Sequence, residues 1–320
     1  LGLAAALAAA LLLAGGVGAL PVGLADWAAL VQAPGGELSG GAHVLWSLRL
    51  PRALLAATVG AALGLAGALT QGLFRNPMAD PGLLGVTSGA VGAAALVLTV
   101  FAASAAAVPP AWRLWVLPLS AFAGALAVCF ALERGARWLT PGSITGLLLT
   151  GLALNAFTMA LVGLCTFVAT DEQLRSLTFW TLGSLAGGSW PVAGLLLVVL
   201  ALGEAVAGHL GVDVQRLRTR LIVIVALLSA FAVAWCGLIG FIGLMAPHLV
   251  RAAAGADQRA VLPLAMLAGA VLLLVADTVA RTAAMPAEVP VGIVTALIGG
   301  PAFLWLLHRT VRTSGQGGPL

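Results

Sequence analysis

The sequence predicts an all-α integral membrane protein, a ten-transmembrane-helix bundle with both termini in the cytoplasm. Of its 320 residues, 61% are hydrophobic and only 8% are charged, whereas a soluble domain carries roughly 25% charged residues. The apolar segments are continuous, as in 195–200, and lack the alternating pattern of a membrane β-barrel. Because each span takes about 20 residues, residues 1–320 are interpreted as a single transmembrane domain without a second, soluble domain.

Ten apolar segments are the candidates for these spans. The first has no positively charged start and is interpreted as a span, not as a signal peptide. The candidates are Leu1–Leu20, Ala53–Phe74, Gly89–Val108, Leu114–Leu132, Leu147–Val168, Trp190–Leu200, Leu221–Gly237, Ile239–Leu249, Val261–Val279 and Val291–Leu307.

Two of the candidates are too short to cross a bilayer as helices. Trp190–Leu200 would rise about 16 Å, against a hydrocarbon core of about 30 Å, so we expect residues to be missing between Leu200 and Ala201. Ile239–Leu249 follows the glycine-rich stretch 237–240, and a helix break is expected there because glycine tolerates tight turns.

The segment 171–182, DEQLRSLTFWTL, is amphipathic and polar in its first half. It is predicted to lie as a short helix at the outer membrane surface. Since it connects the fifth and sixth candidate spans, it is expected near the mouth of any pathway.

All fifteen basic residues are arginines, and the chain contains no lysine. A P-loop needs a lysine that reaches the nucleotide phosphates, so ATP and magnesium are expected on a partner chain, and no cofactor is expected on this one. With the amino end inside, ten arginines fall in the cytoplasm and five outside, in agreement with the positive-inside rule. Arginines at the ends of apolar segments indicate topology, and no nucleic acid partner is expected.

Other functional classes find little support in the sequence. The three cysteines lie inside apolar runs, and the four histidines map to loops or helix ends, so no metal site is predicted. The middles of the candidate spans contain no ionisable side chain, which disfavours a proton-coupled transporter. Asp277 and Arg281, near one end of the ninth candidate, can pair on one helix face. Serines beside glycines lack an embedded base, which disfavours an intramembrane enzyme.

Four sequence blocks carry a more specific signal. They are RLPRALLAATVGAALGLAGALTQGLFRNPMADPGLLGVTSGA (49–90), LGEAVAGHLGVD (202–213), GLIGFIGLMAPHLVR (237–251) and DTVARTAAMPAEVPVGIVTALIGGPAF (277–303). In this order they resemble the FecCD-type permeases, the membrane subunits of type II ABC importers for iron chelates, haem or cobalamin. The resemblance covers most of the chain and implies ten spans per subunit, the number found above.

The resemblance also implies partners and a location. A homodimer would enclose a pathway along its axis in the bacterial inner membrane, with two ATP-binding subunits beneath it and a periplasmic substrate-binding protein above. Arg49, Arg52 and Arg281 match positions at which the family forms salt bridges with acidic residues of the binding protein. The alternative for these three residues is that they anchor helices to lipid headgroups.

Further residues are assigned by the same resemblance. The cytoplasmic gate would comprise Asn76 and Met78 with Ile144 and Thr145. Independently of the resemblance, Gly151 and Asn155 on the fifth candidate span are candidates to line the pathway. The loop 202–218 matches the ATPase-coupling helices, the first with Glu204 in its first turn, His209 near its end and Gly211 after it. The coupling residues are Leu202, Gly203, Glu204, His209, Gly211, Arg216 and Arg218.

The expected substrate is haem, because the segment 171–185 resembles haem-import members of the family. A ferric siderophore is the second choice and cobalamin the third. A secondary transporter that acts without an ATPase is the alternative from another functional class.

Overall fold

The computed structural model describes residues 2–32, 40–141, 143–207 and 214–315. Within these ranges the regular elements are all helices and no β-strand is found, so the predicted all-α class is confirmed. The helices are α1 (Gly2–Gly16), α2 (Leu24–Gln32), α3 (Gly40–Val44), α4 (Leu50–Phe74), α5 (Val86–Leu98), α6 (Ala102–Ala107), α7 (Pro110–Leu139), α8 (Ile144–Val168), α9 (Asp171–Thr181), α10 (Trp190–Ala207), α11 (Val214–Cys236), α12 (Ile242–Ala254), α13 (Gln258–Thr282) and α14 (Val291–Gly315).

Five helical stretches of the described chain are long and apolar enough to cross a membrane. They are Gly40–Phe74, Pro110–Leu139, Thr145–Val168, Arg218–Cys236 and Gln258–Thr282. The shorter apolar helices are Gly2–Gly16, Val86–Leu98, Trp190–Ala201, Ile242–Ala254 and Val291–Leu306. Each of these shorter helices overlaps one of the remaining candidate spans. The count of ten crossings stays a prediction.

The second candidate span is longer than the sequence suggested. A π-helical stretch, Leu45–Arg49, joins α3 to α4, so one helix runs over the 35 residues Gly40–Phe74 instead of starting at Ala53. The helix can continue through the two arginines of this region because both find internal partners, described below.

The third candidate span, Gly89–Val108, is wrong as a single helix. It divides into α5 and α6 at a turn around Thr99. There the Thr99 hydroxyl donates to Ala95 O at 2.6 Å, and Phe101 N donates to Leu96 O at 2.9 Å. Thr99 O accepts from Ala102 N at 3.4 Å and from the side-chain amide of Gln173 at 3.3 Å, so a side chain of α9 helps to satisfy the carbonyl at this turn.

Helix α10 corrects two expectations. It is continuous through Leu200 and Ala201 and covers 18 residues, Trp190–Ala207, about 27 Å of helix, so no residues need to be missing. Consequently Leu202, Gly203 and Glu204 lie in the last turns of α10, not at the start of a separate helix. Residues 208–213, with His209 and Gly211, and the side chains of 202–217, with Arg216, lie outside the described part of the chain.

The predicted break between the seventh and eighth candidate spans is confirmed. Helix α11 ends at Cys236, Gly237 has a φ of +68°, and α12 begins at Ile242. Since α12 continues to Ala254, His248 lies inside this helix and not at a helix end as expected.

The amphipathic segment before α10 forms the expected helix, α9. Thr170 caps its start, accepting from Gln173 N while its own N–H donates to Gln173 Oε1 at 3.0 Å. This reciprocal pair is a capping box, and it begins the helix at Asp171. That α9 lies on the membrane surface stays a prediction.

Helix α4 runs through the centre of the bundle and packs against α1, α10, α11, α12 and α13. Glycine spacing on α4 permits this. A Cβ atom at Gly60 would lie 2.7 Å from the carbonyl carbon of Gly269, and one at Gly64 would lie 2.9 Å from that of Ala265. The small residues of the second candidate span therefore bring α4 and α13 backbones together within one chain.

Replacing Gly64 by Ala is expected to lower the free energy of unfolding by about 1–3 kcal/mol, because the new methyl group would meet the α13 backbone instead of a movable side chain. The matched control is Gly194→Ala on α10, where no atom lies within 4 Å of the added Cβ and alanine gains about 1 kcal/mol of helix propensity. Thermal unfolding in detergent measures both variants. Equal midpoints for the two would contradict the close α4–α13 contact.

Candidate functional site

Arg52 is the centre of an ion-pair network at the start of α4. Its Nε lies 3.1 and 3.2 Å from the two carboxylate oxygens of Asp277, and its Nη2 lies 2.9 Å from Asp277 Oδ1. Its Nη1 donates to Glu288 at 3.0 and 2.8 Å. Arg281 joins the network, with its Nε 3.5 Å from Asp277 Oδ2. The pairing of Asp277 with Arg281 on one helix face is therefore confirmed.

Arg49 and Arg281 also bind the end of helix α1. Arg49 Nη1 donates to Gly15 O at 2.8 Å and to Gly16 O at 3.0 Å, and its Nη2 donates to Leu20 O. Arg281 donates to Ala14 O at 2.5 Å and to Val17 O at 3.1 Å. Carbonyls in the last turn of a helix lack intrahelical partners and carry partial negative charge, so two guanidinium groups stabilise α1 at this end.

The structure therefore brings the three predicted docking arginines together at one end of the bundle, here called the arginine end. Their side chains are turned inward, with 13% of Arg52 and 9% of Arg281 exposed against 1% of Asp277. Glu288, in contrast, is 47% exposed. Sequence reasoning missed Glu288, although it lies in the same block as Asp277 and Arg281.

The predicted gate loop after α4 is held by local hydrogen bonds. Helix α4 ends at Phe74, the end of the second candidate span, and Arg75 has a left-handed φ of +48°. Asn76 N donates to Gln71 O at 3.1 Å, and Asn76 Oδ1 accepts from Met78 N at 2.9 Å. Asn76 is exposed and Met78 is half-buried, so the loop is rigid while its side chains stay accessible.

The other predicted gate residues begin helix α8. Ser143 caps it, with its hydroxyl accepting from Gly146 N at 3.0 Å, and Ile144 and Thr145 form its first turn. Arg218, from the start of α11, donates to Ser143 O at 3.2 Å. The described end of the predicted coupling segment therefore contacts the residue that precedes the predicted gate.

A second contact reinforces this junction. Glu133, buried on α7, accepts from the Thr219 hydroxyl at 3.0 Å and pairs with Arg137 on the next turn. Because an ionised side chain this poorly exposed needs its partners, the start of α11 and the end of α7 are held to each other. Sequence reasoning did not single out Glu133.

A cavity of about 540 Å³ lies between α5, α8 and α9. None of the side chains that line it is charged; they are Gly82, Thr87, Ser88, Val91, Asn155, Met159, Val162, Thr166, Leu174, Leu177, Thr178, Thr181 and Leu238. Ser88 Oγ lies 2.5 Å from Asn155 Oδ1 and 3.0 Å from Gly85 O, so Asn155, a predicted pathway residue, is fixed at the wall.

The second predicted pathway residue has a different environment. Gly151 is buried, and a Cβ atom there would lie 2.6 Å from Leu83 O. The glycine lets α8 approach the 3₁₀ turn Pro81–Leu84, and it is not among the residues that line the cavity. In one subunit Gly151 therefore has a packing role, and its place along the pathway of a dimer stays a prediction.

A second cavity, of about 320 Å³, contains an acidic residue that the sequence analysis missed. It is lined by Asp80 together with Leu63 from the middle of α4 and Gly243 from the start of α12. Asp80 Oδ1 accepts from Gly82 N at 2.7 Å and so begins the 3₁₀ turn. Asp80 lies in a connection between helices, where an acidic residue gives no functional signal of its own in the sequence.

Comparison with known proteins gives consistent matches. The model of the FecCD transport family matches residues 6–309. The chain is 45% identical, over 83% of its length and 84% of the relative, to the hemin transport system permease protein HmuU of Yersinia pestis. It is 41% identical, over 88% of both chains, to the vitamin B12 import system permease protein BtuC of Salmonella paratyphi A.

A solved structure agrees with these relatives. It is described as an inward-facing conformation of a metal-chelate type ABC transporter, with a TM-score of 0.80, 31% identity, and coverage of 96% of this chain and 98% of its own.

The chain is a helical bundle with a cavity lined by uncharged side chains, and it is similar over most of its length to permease subunits, so it is the translocation subunit of an ABC transporter. The chain belongs to the FecCD transport family.

Proposed function

We propose that this chain forms half of a homodimeric channel that imports a bulky iron-related substrate, haem, across the bacterial inner membrane. The observation that carries the proposal is the family match over 6–309. ATP binding and hydrolysis on two partner subunits would shift the dimer between outward-open and inward-open states, and each state would expose the pathway to one side.

Two observations support haem as the substrate. The relative from Yersinia pestis is a hemin permease at 45% identity, and the cavity between α5, α8 and α9 offers hydroxyl, amide and apolar groups without a charge. Such a wall suits a large, partly apolar molecule. The vitamin B12 relatives, at 41% identity, keep cobalamin as an alternative beside a ferric siderophore, and the ligand carried by the cognate binding protein distinguishes the three.

The arginine end is proposed to face the periplasm and to receive the binding protein at Arg49, Arg52 and Arg281. With both termini in the cytoplasm, the positive-inside rule favours this orientation. These arginines already have hydrogen-bond acceptors within the chain, and this restricts how docking can occur. A side chain of the binding protein can reach a guanidinium group only where the acceptor that covers it can move away.

The segment 202–218 is proposed to couple the ATPase to the gate. The contact between Arg218 and Ser143 supports this, since it links the end of the segment to the turn before Ile144 and Thr145. A displacement of α11 by the ATPase would then reach the gate through a short path of contacts.

Uptake by the reconstituted chain is expected to require an ATPase partner. Because the chain has no lysine for a P-loop, uptake into proteoliposomes should fall to background when the partner binds ATP but cannot hydrolyse it. The measurement is accumulation of the ligand that the binding protein carries. Uptake driven by an ion gradient in the absence of an ATPase would contradict the proposal and favour a secondary transporter.

A further inference from the structure

The guanidinium group of Arg52 is bound at two edges by carboxylates in very different surroundings. The inner edge, Nε and Nη2, faces Asp277, which is 1% exposed, at 2.9–3.2 Å. The outer edge, Nη1, faces both oxygens of Glu288 at 3.0 and 2.8 Å. Arg52 therefore has one buried carboxylate partner, Asp277, and one at the surface, Glu288.

The connection between α13 and α14 holds Glu288 over Arg52. Val289 N donates to Ala280 O at 2.9 Å, which folds this connection back onto the end of α13. The Glu288 side chain itself is 47% exposed, so its carboxylate can turn into water without loss of packing. Exposed ion pairs of this kind add little to stability, and the contact with Asp277 would keep Arg52 in place.

We infer that Glu288 is an intrinsic competitor for Arg52, which covers the outer edge of the guanidinium until an acidic side chain of the docking binding protein replaces it. The inference rests on the proposed docking at the arginine end. Replacement exchanges one carboxylate for another at Nη1, so the number of charge-assisted hydrogen bonds on Arg52 is conserved. The helix packing around Asp277 stays unchanged.

Competition of this kind has a consequence for selectivity. A binding protein gains affinity only if its carboxylate interacts with Arg52 more strongly than Glu288, which is already held beside it. A surface whose carboxylate is absent or misaligned therefore gains no affinity at this site. Removal of Glu288 should therefore strengthen docking, whereas removal of a helix-stabilising residue would weaken it.

The test compares Glu288→Gln with wild type in the complete transporter, reconstituted in nanodiscs, by measuring binding of the cognate binding protein at low and physiological salt. The matched control is Glu172→Gln, which removes the same charge from an exposed residue at the start of α9. We expect Glu288→Gln to raise the affinity about two- to fivefold, the range of an exposed charge pair, and Glu172→Gln to leave it nearly unchanged. In an Arg52→Gln background, Glu288→Gln should have no further effect.

The outcomes separate the inference from the proposed function. Salt-sensitive docking with equal affinities for wild type, Glu288→Gln and Glu172→Gln would overturn the competition and leave docking at the arginine end intact. Weaker docking of Glu288→Gln would overturn it as well, because Glu288 would then contribute to binding. Docking that is insensitive both to salt and to Arg52→Gln would overturn the proposed docking site itself.

Discussion

Replacing Asp277 by Asn is expected to lower the free energy of unfolding by about 3–5 kcal/mol, the cost of removing one partner from a buried ion pair. Asp277 is 1% exposed and faces two guanidinium groups, those of Arg52 and Arg281. An asparagine has nearly the same shape, but its amide carries no charge and points N–H donors at other donors. Arg281 would then lose its carboxylate partner and keep only the carbonyls of α1, and Arg52 would keep only the exposed Glu288.

The same change should also loosen α1. Arg281 spans the distance between Asp277 and the last carbonyls of α1, so loss of Asp277 frees it to leave the helix end. Thermal unfolding and limited proteolysis in detergent measure the two effects. The matched control is Glu288→Gln, which touches the same arginine from its exposed side and should cost less than about 1 kcal/mol. An unfolding midpoint that is equal for Asp277→Asn and wild type would show that the network does not hold this end together.

The existence of the apolar helices follows from local sequence, but several of their limits do not. Continuous apolar runs of about 20 residues give a strong signal on their own. The start of the second span was misplaced because Arg49 and Arg52 look like the end of a membrane segment. Asp277, the buried partner of Arg52, lies 225 residues further along the chain. No local sequence pattern therefore reveals that Asp277 neutralises the charge of Arg52.

Local chemistry was sufficient where a cap or a proline decides the boundary. The proline at 77 restricts the residue before it, and α4 ends at Phe74. The helix predicted over 171–182 from its amphipathic pattern begins at Asp171, where the structure shows that Thr170 and Gln173 form a capping box. By contrast, the candidate span Trp190–Leu200 ends seven residues before α10 does, although nothing between Leu200 and Leu202 breaks a helix.

In the candidate site, too, some contacts follow from local sequence and others depend on residues far apart in the chain. Asp277 and Arg281 are four residues apart, and their pairing follows from helix geometry. Asn155 and Ser88 come from different helices, α8 and α5, and their contact at the cavity wall depends on how closely those helices approach. Gly151, a pathway candidate on the same helix, lets α8 pack closely on the 3₁₀ turn, a role that the sequence did not indicate; its place in the pathway stays a prediction.

A cysteine at position 78 is expected to form a disulfide with its copy in the second subunit and to reduce uptake to background. The proposed gate places Met78 at the dimer axis near the inner side of the membrane. The loop that carries it is rigid, because α4 ends directly before it and Asn76 Oδ1 accepts from Met78 N. This hydrogen bond uses the backbone of residue 78, so Met78→Cys preserves the turn.

Asn76→Cys is the informative comparison. It places a thiol two residues earlier but removes the amide oxygen that closes the turn, so its cross-link should form less completely. Wild type is the control for background oxidation, since Cys129, Cys165 and Cys236 are all buried and should not react. Non-reducing gels and uptake assays on the same proteoliposomes measure both effects.

The nucleotide state decides whether the cross-link reports a gate. Two rigid loops that close a pathway by packing against each other should separate when the attached helices move as rigid bodies. The disulfide should therefore form fastest in the state that closes the inner side, and reduction should restore uptake. Equal cross-linking in every nucleotide state, or a locked dimer that still transports, would assign residues 76–78 to a static turn. In that case Ile144 and Thr145, which follow the Arg218 contact at Ser143, would be the remaining candidates for the moving part of the gate.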